Sequence, residues 1–418
     1  MSFFVTVKSM ARFRTAAQPA WRLATMAGML VCCLHAAATL RVAPHVASHD
    51  EPRTGFDHFY NLEYDAALAD FESQVQAQPT AAAWNHVAQT YLYREMYRVG
   101  ALASQLYGHG DPFLDEPLRP VSPAAAQQFL AANQRALDLA TAALTAHPES
   151  AAAHYDAAVA LAMRGTYEFV LKKTYFAALS SALKARKEAE RALELDPRLI
   201  DPRLILGVHN YIAGSLPFTV RMMAAVTGLA GNKQRGLAQI REVASAGHGA
   251  RTDARIMLSV IYRREGWNRD VLPILDELAR QYPRNFLFQV EEAEAAEAAG
   301  LHTQALQGYQ TVLARAAAHA PGSVSIPLDK VWYDIGNIHR LFSRFDDALA
   351  AYAEVARAPH AQPRYVAAAA LAAGQVNDQL GRRNLAVAQY QRAAAAAPHS
   401  LAAKAARRYL DHPFRPRR

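Results

Sequence analysis

The chain has 418 residues, 52% of them hydrophobic and 20% charged, with a formal net charge of +8. That length holds two or three ordinary globular domains, yet alanine inflates the apolar fraction, and no run of alternating Val, Ile and Thr between hairpin turns predicts strands. Cys32 and Cys33 are the only cysteines, which excludes a disulfide framework over the remainder of the chain.

The N-terminal element comes first. Arg12, Arg14 and Arg22 precede "LATMAGMLVCCLHAAATL", an 18-residue stretch without Asp, Glu, Lys or Arg that ends before Arg41. A basic region, an apolar core and small residues at Ala36 to Ala38 predict a secretory signal over residues 1–40, or an N-terminal anchor if the stretch is retained. Either reading leaves the bulk of the chain exported, periplasmic or attached to the cell envelope. Met10 is an alternative start. "LVCC" departs from a lipoprotein cleavage site, which calls for Gly, Ala or Ser before the cysteine. Arginine outnumbers lysine by more than four to one, and with so much alanine this points to a GC-rich, bacterial genome. Residues 41–52, with Pro, Ser and His and no periodicity, read as a flexible linker. His45 and His49 have a helical metal-ligand spacing but lack a third ligand, so no metal is expected.

From residue 53 a recurring frame sets in. "GFDHFYNLEYDAALADFESQVQAQP" supplies Gly55, Tyr64, Ala67, Phe71 and Pro79, and the next helix opens with Trp84 and Tyr91. The frame is then interrupted by three stretches rich in aromatic or basic residues: Tyr91 to Pro120, Arg164 to Pro197 and Asn210 to Ile240. Aromatics at helical spacing predict packing of one helical pair on the next, with a lined cleft as the alternative. Lys172, Lys173, Lys184, Arg186, Lys187 and Arg191 alternate with Glu188, Glu190 and Glu194, which predicts a solvated helix face.

Beyond residue 252 the frame becomes regular. Leu258, Tyr262, Gly266, Leu275 and Pro283 form one unit, with Pro273 early in its second helix, where a missing N–H costs least. Gly300 follows Gly266 by 34 residues and leads to Ala305, Tyr309 and Val312. Trp332, Gly336, Phe345, Ala348, Tyr352 and Val355 form the next unit. Gly374, Gly381, Ala386, Tyr390, Ala393 and Pro398 form the last. Self-similarity at this period is the signature of stacked helix-turn-helix units, none of which buries its apolar face alone. The alanines sit where helices must approach closely.

These residues resemble the tetratricopeptide repeat. The resemblance implies an all-α, right-handed solenoid of stacked helical hairpins, with long helical insertions in the N-terminal half. Residues 53–251 are then degenerate repeats with insertions, 252–400 regular repeats, and 401–418 a capping helix with a basic tail. A narrower span, about Leu204 to Phe288 with "GSLP", "GLAGNKQRGLAQI" and "YPRNFLF", resembles the tetratricopeptide-repeat protein 39 and inclusion-body-clearance family. That likeness implies a helical, non-enzymatic adaptor and offers no catalytic residue.

Chemical motifs are absent. "GLAGNK" departs from a phosphate loop because Asn232 separates the glycine from the lysine, and neither HExxH nor G-x-S-x-G occurs. No enzyme activity and no cofactor are expected. Lys8, Arg12, Arg14 and Arg22 lie within residues 1–40, which hold no acidic residue, so the remaining chain stands at about +4. Nucleic acid is not an expected partner of an exported protein. Arg407, Arg408, Arg415, Arg417 and Arg418 read as a solubilising end, or as a contact to anionic lipid in a peripheral or anchored association.

The expected partner is a protein or peptide held on the first helix of each unit. Counting from Asp329, the partner-facing positions are Lys330, Tyr333, Asn337 and Arg340, joined by Arg263, Arg264, Gln375 and Asp378. Lys, Arg and Asn there donate to acidic groups, and Tyr333 offers an apolar anchor. The superfamily's clamp for a terminal carboxylate has Lys where Tyr333 stands, so that clamp is not expected. The alternative is a small-molecule or lipid-binding protein, or an enzyme of unfamiliar type, using a tyrosine-rich cleft formed by Tyr91, Tyr97, Tyr107 and Phe113.

Overall fold

A computed structural model describes residues 55–102, 120–216, 230–320, 322–323 and 326–416. The signal segment, the linker, Tyr107 and Phe113 lie outside them. Among the described residues the protein is all helix and turn, without strands. The chain divides into two compact units, Met1–Pro283 and Arg284–Arg418.

The first unit contains α1 Gly55–Tyr60, α2 Tyr64–Ala77, α3 Ala81–Val99, α4 Pro123–Ala146, α5 Ala151–Thr166, α6 Tyr175–Leu195, α7 Pro202–Gly214, α8 Lys233–Ala246, α9 Arg251–Arg264 and α10 Asn268–Gln281. The second contains α11 Phe286–Ala298, α12 His302–Ala317, α13 Leu328–Leu341, α14 Phe345–Val355, α15 Pro363–Gln379, α16 Arg383–Ala396 and α17 Leu401–Asp411. Within each unit every helix packs on the next in sequence, and alternate helices also meet: α3, α5 and α7 in the first, α13, α15 and α17 in the second. Stacked helical hairpins produce this pattern, because the first helices of successive hairpins form one layer and the second helices another.

Local chemistry sets the helix boundaries. Thr80, Ser122, Ser150, Asn232, Asn285 and Ser400 are N-caps whose side chains accept a backbone N–H of the first turn. Inside the regular hairpins the turn is a repeated Schellman motif. Gly266, Gly300 and Gly381 have φ of 74°, 76° and 70°, and the next N–H returns to the carbonyl five residues earlier, as in Leu301 to Ala296 (2.8 Å) and Arg382 to Asn377 (2.8 Å). Ser343 holds the same place at φ 56°, with Arg344 N–H on His339 O at 2.9 Å. Five residues after each turn comes a buried Val271, Ala305, Ala348 or Ala386. Pro273 lies in the second turn of α10, not the first as its sequence position suggested. Its missing N–H therefore deprives the exposed Arg269 carbonyl of a helical donor.

A second repeated device joins the two helices of a hairpin. Gly55 and Phe71, Ala293 and Tyr309, Gly336 and Tyr352, and Gly374 and Tyr390 are each 16 residues apart. A Cβ placed on Gly55, Gly336 or Gly374 would overlap the ring of its partner. At those three glycines the aromatic ring occupies the space a side chain would need, which is why glycine is required there.

The first unit departs from this pattern. α5 runs into a π-helical turn, Tyr167–Leu171, before Lys173 turns the chain at φ 57°. α7 and α8 meet backbone to backbone: a Cβ on Gly207 would come within 2.7 Å of Ile240 Cγ1, and one on Gly236 would overlap the backbone of Tyr211. The glycines of "GLAGNKQRG" that are described therefore serve helix packing. Asn232 caps α8, and Lys233 Nζ donates to Glu265 Oε2 at 2.5 Å.

Candidate functional site

The layer of first helices in the second unit, α11, α13 and α15, carries six of the eight expected partner-facing residues. Arg263 and Arg264 end α9 in the first unit, both half-buried, and so belong to a separate body.

Lys330 occupies the first turn of α13. Its Nζ lies 2.6 Å from Glu294 Oε1 on α11 and 2.6 Å from Asp334 Oδ2 one turn on, and the side chain is 15% exposed. Both neighbouring carboxylates hold the ammonium charged, well above its ordinary value, although burial opposes them. Tyr309 Oη donates to Glu297 Oε2 at 2.9 Å and reaches Asp334 Oδ2 at 3.4 Å. Glu294 and Asp334 thus pair with one ammonium, and Glu297 joins them through Tyr309. Burial first and the Asp334 charge second push Glu297 up to about 7 from an ordinary 4.5. Lys330 consequently serves this internal network; Glu294, expected on a surface-like helix with Glu291 and Glu292, is instead buried against it and helps to set the local charge.

Tyr333 lies one turn further along α13. It is half-buried, with its ring 6.2 Å from Tyr352 and 6.0 Å from Tyr365. Asn337 Oδ1 accepts from Tyr352 Oη at 2.9 Å, and Arg340 Nη1 donates to Gln375 Oε1 on α15 at 2.9 Å. Tyr333, Asn337, Arg340 and Gln375 are thus brought into one strip across α13 and α15.

Asp378 ends the strip at the last turn of α15. Its carboxylate accepts from Tyr390 Oη at 2.9 Å and from Arg383 Nη1 at 3.1 Å, and it is 1% exposed. A further donor comes from the tail: the backbone N–H of Phe414 reaches Asp378 Oδ2 at 2.7 Å. The Phe414 ring stands edge-on to Tyr409, which itself lies 5.5 Å from Tyr390. Arg383 Nη2 also donates to the carbonyls of Tyr409 and Leu410, closing the C-terminus of α17. The segment expected to be a solubilising end is therefore docked as far as Phe414, because one buried carboxylate and two tyrosine rings offer it a polar and an apolar contact together.

The alternative cleft is only half described. Tyr91 and Tyr97 both lie on α3. Tyr91 Oη donates to Glu72 at 3.1 Å beneath Arg94, and Tyr97 lies 6.0 Å from Tyr64. Among the described residues, no group of three or more His, Cys, Asp or Glu is placed to hold a metal. No described helix is long and apolar enough to cross a membrane.

The hairpin geometry, the Schellman turns and the small-to-aromatic contacts define an all-α fold of stacked tetratricopeptide-type helical hairpins. No protein-family model matches the chain, including over Leu204 to Phe288, and no curated protein matches it. Among solved structures it is similar to yeast Tom70, at 13% identity and TM-score 0.33 over 85% of this chain and 93% of that one. It is similar to a human IFIT1 dimer with m7Gppp-AAAA, at 14% identity and TM-score 0.38 over 84% and 82%. It is also similar to the TPR domain of P58(IPK), at 14% identity and TM-score 0.24 over 85% and 94%.

Proposed function

We propose that the chain is an exported, non-enzymatic scaffold that binds an extended segment of a protein or peptide along the first helices of its second unit. The observation that carries this reading is the Phe414 N–H on Asp378 Oδ2 at 2.7 Å. A stretch of extended backbone already rests on the last station of the strip, and Tyr333, Asn337, Arg340 and Gln375 continue it with one flat ring and several donors. Affinity capture from an envelope extract tests the reading. Replacing Tyr333 and Arg340 together by Ala is expected to abolish capture while leaving helicity intact. Capture that survives this change and is lost on replacing Tyr97 and Tyr107 places the site in the tyrosine-rich cleft instead.

Export rests on the basic region and uncharged core of residues 1–40, and it places the partner in the periplasm or cell envelope. A fusion of residues 1–55 to a reporter active only outside the cytoplasm is expected to be active. An inactive reporter at normal expression contradicts export. The adaptor role implied by the likeness over Leu204 to Phe288 fits the same reading, with the partner supplied by the envelope.

A further inference from the structure

Lysine is scarce in this chain and unevenly placed. Four of its eight lysines, Lys172, Lys173, Lys184 and Lys187, fall in one short stretch, whereas arginine carries most of the positive charge elsewhere. Two precede α6 and two stand in its middle. The sequence interleaves lysines with glutamates, but the fold separates the two charges. Glu188 Oε2 lies 2.6 Å from His154 Nδ1, Glu190 accepts from Arg186 at 2.7 Å, and Glu194 accepts from Arg191 at 3.1 Å. Lys172, Lys184 and Lys187 are exposed, and their ammonium groups make no hydrogen bond or ion pair among the described residues.

Helix geometry aligns these groups with an apolar one. α6 is buried along Ala178, Ser181, Ala182, Ala185, Ala189 and Ala192, spaced three or four apart on one face. Phe176, Ser180, Lys184 and Lys187 recur at the same spacing on the opposite face, and all four are exposed. Phe176 is 91% exposed, more than any other large hydrophobic among the described residues. Its neighbour Tyr175 turns the other way, with its ring 5.3 Å from that of the buried Phe169. An aromatic ring held in water contributes nothing to folding, and this one shares its face with unpaired lysines.

We infer that this face of α6 is a docking surface for an anionic phospholipid bilayer. The Phe176 ring enters the boundary between headgroups and acyl chains, and Lys172, Lys184 and Lys187 lie among the headgroup phosphates. A ring protruding from a single helix suits a soft interface into which it sinks, whereas a rigid partner would need a matching pocket. Lysine, a point charge on a flexible stem, suits a diffuse layer of phosphates; arginine, which the chain uses elsewhere, suits directional pairing. The association is peripheral, with the helix lying along the surface. It belongs to the first unit and depends neither on the strip around Tyr333 nor on residues 1–40.

Lipid titrations of the full-length protein, read by co-sedimentation, test the inference with mixed phosphatidylglycerol–phosphatidylcholine vesicles against phosphatidylcholine alone. Attachment through residues 1–40 is common to every variant, so the readout is the change in preference for the anionic vesicles. The parent is expected to prefer them by about tenfold or more, and salt of about 1 M should remove the preference. Lys172→Glu, Lys184→Glu and Lys187→Glu together should lower it by about tenfold or more. Phe176→Ser should weaken binding severalfold, and neither variant should change the melting temperature, because all four side chains are exposed. Replacing Arg415, Arg417 and Arg418 by Gln should leave the preference intact. Equal binding to the two vesicle types, a preference unaltered by the lysine changes, or one lost with the tail arginines overturns the proposal. Poly-L-glutamate bound with the lysine dependence, while no vesicle binds, also overturns it and assigns the face to an acidic protein.

Discussion

The second unit and the first are built from the same hairpin but held together by different means. In the second, three small-to-aromatic pairs, Ala293 with Tyr309, Gly336 with Tyr352 and Gly374 with Tyr390, recur at one spacing. Among the described residues of the first, Gly55 with Phe71 alone keeps that device, and long-range polar contacts join its other helices. Asp201 accepts the N–H groups of His248 and Gly249 at 2.8 and 3.0 Å, Tyr60 Oη donates to Asp253, and Asn133 donates to the Ala160 carbonyl. A repeat that loses its small-to-aromatic contact keeps its hairpins by satisfying buried polar groups instead. Both units satisfy buried polar groups through bonds between residues far apart in sequence, such as Lys330 with Glu294 and Asp378 with Phe414 in the second, but the second adds a packing contact that recurs from hairpin to hairpin.

The largest expected effect breaks the packing half of that contrast. Gly374→Leu forces a side chain into the Tyr390 ring, where even a Cβ overlaps. Overpacking of this kind costs about 1–3 kcal/mol or more, and the second unit should unfold first in thermal melts followed by hydrogen exchange. An unchanged melting temperature contradicts the assigned register.

The two units should also respond to pH in opposite senses. His209 in the first unit is 4% exposed. It takes Arg186 Nη1 at 2.9 Å on Nε2. Burial first and the Arg186 charge second hold it down to about 4 from an ordinary 6.5, with the Ala230 carbonyl opposing. Below 6.5 the unfolded chain binds a proton that the folded one refuses. Up to about 3 kcal/mol of stability, present above pH 6.5, is therefore lost as pH falls toward 4. Glu297 in the second unit has the reverse sign. Its stabilising effect is complete below 4.5 and is lost as pH rises through about 7. Solvent screening at this partly exposed site leaves about 1 kcal/mol. Denaturant titrations from pH 4 to 8 are expected to show the acid loss diminished in His209→Gln, and Glu297→Gln more stable than the parent at pH 8 but equal at pH 4.

Ser343 allows a smaller test within the regular unit. It occupies the left-handed turn position where the neighbouring hairpins have Gly300 and Gly381. Ser343→Gly should stabilise by about 1 kcal/mol by relieving the Cβ penalty at positive φ, read as a raised unfolding midpoint. A neutral result shows that the serine makes a compensating contact.

The sequence alone yielded the helix pairs because a period of this kind is carried by nearest-neighbour packing. Gly336, Gly374, Ala348, Ala386, Tyr352 and Tyr390 all fall where the recurrence placed them, buried or against a ring. The alanines of the last hairpin are likewise positioned, with Ala386 and Ala393 in its core and Ala369, Ala370 and Ala373 opening a recess. The site was harder to read. Asp334 stands one turn from Lys330 and could have been paired with it from spacing, but Glu294 lies 36 residues away, as Phe414 does from Asp378. Contacts across hairpins depend on side-chain reach between helices, which periodicity does not encode.

Polypeptide binding along the first-helix strip is tested most directly by returning the tail as a separate peptide. A chain ending at Asp411 should bind the peptide His412 to Arg418 saturably, measured by fluorescence polarisation. The same peptide N-methylated at Phe414 lacks the N–H that Asp378 accepts, and it should bind about tenfold or more weakly, as expected for one hydrogen bond to a charged group. Equal affinity for the two peptides, or no binding of either, would contradict a strip that receives extended backbone.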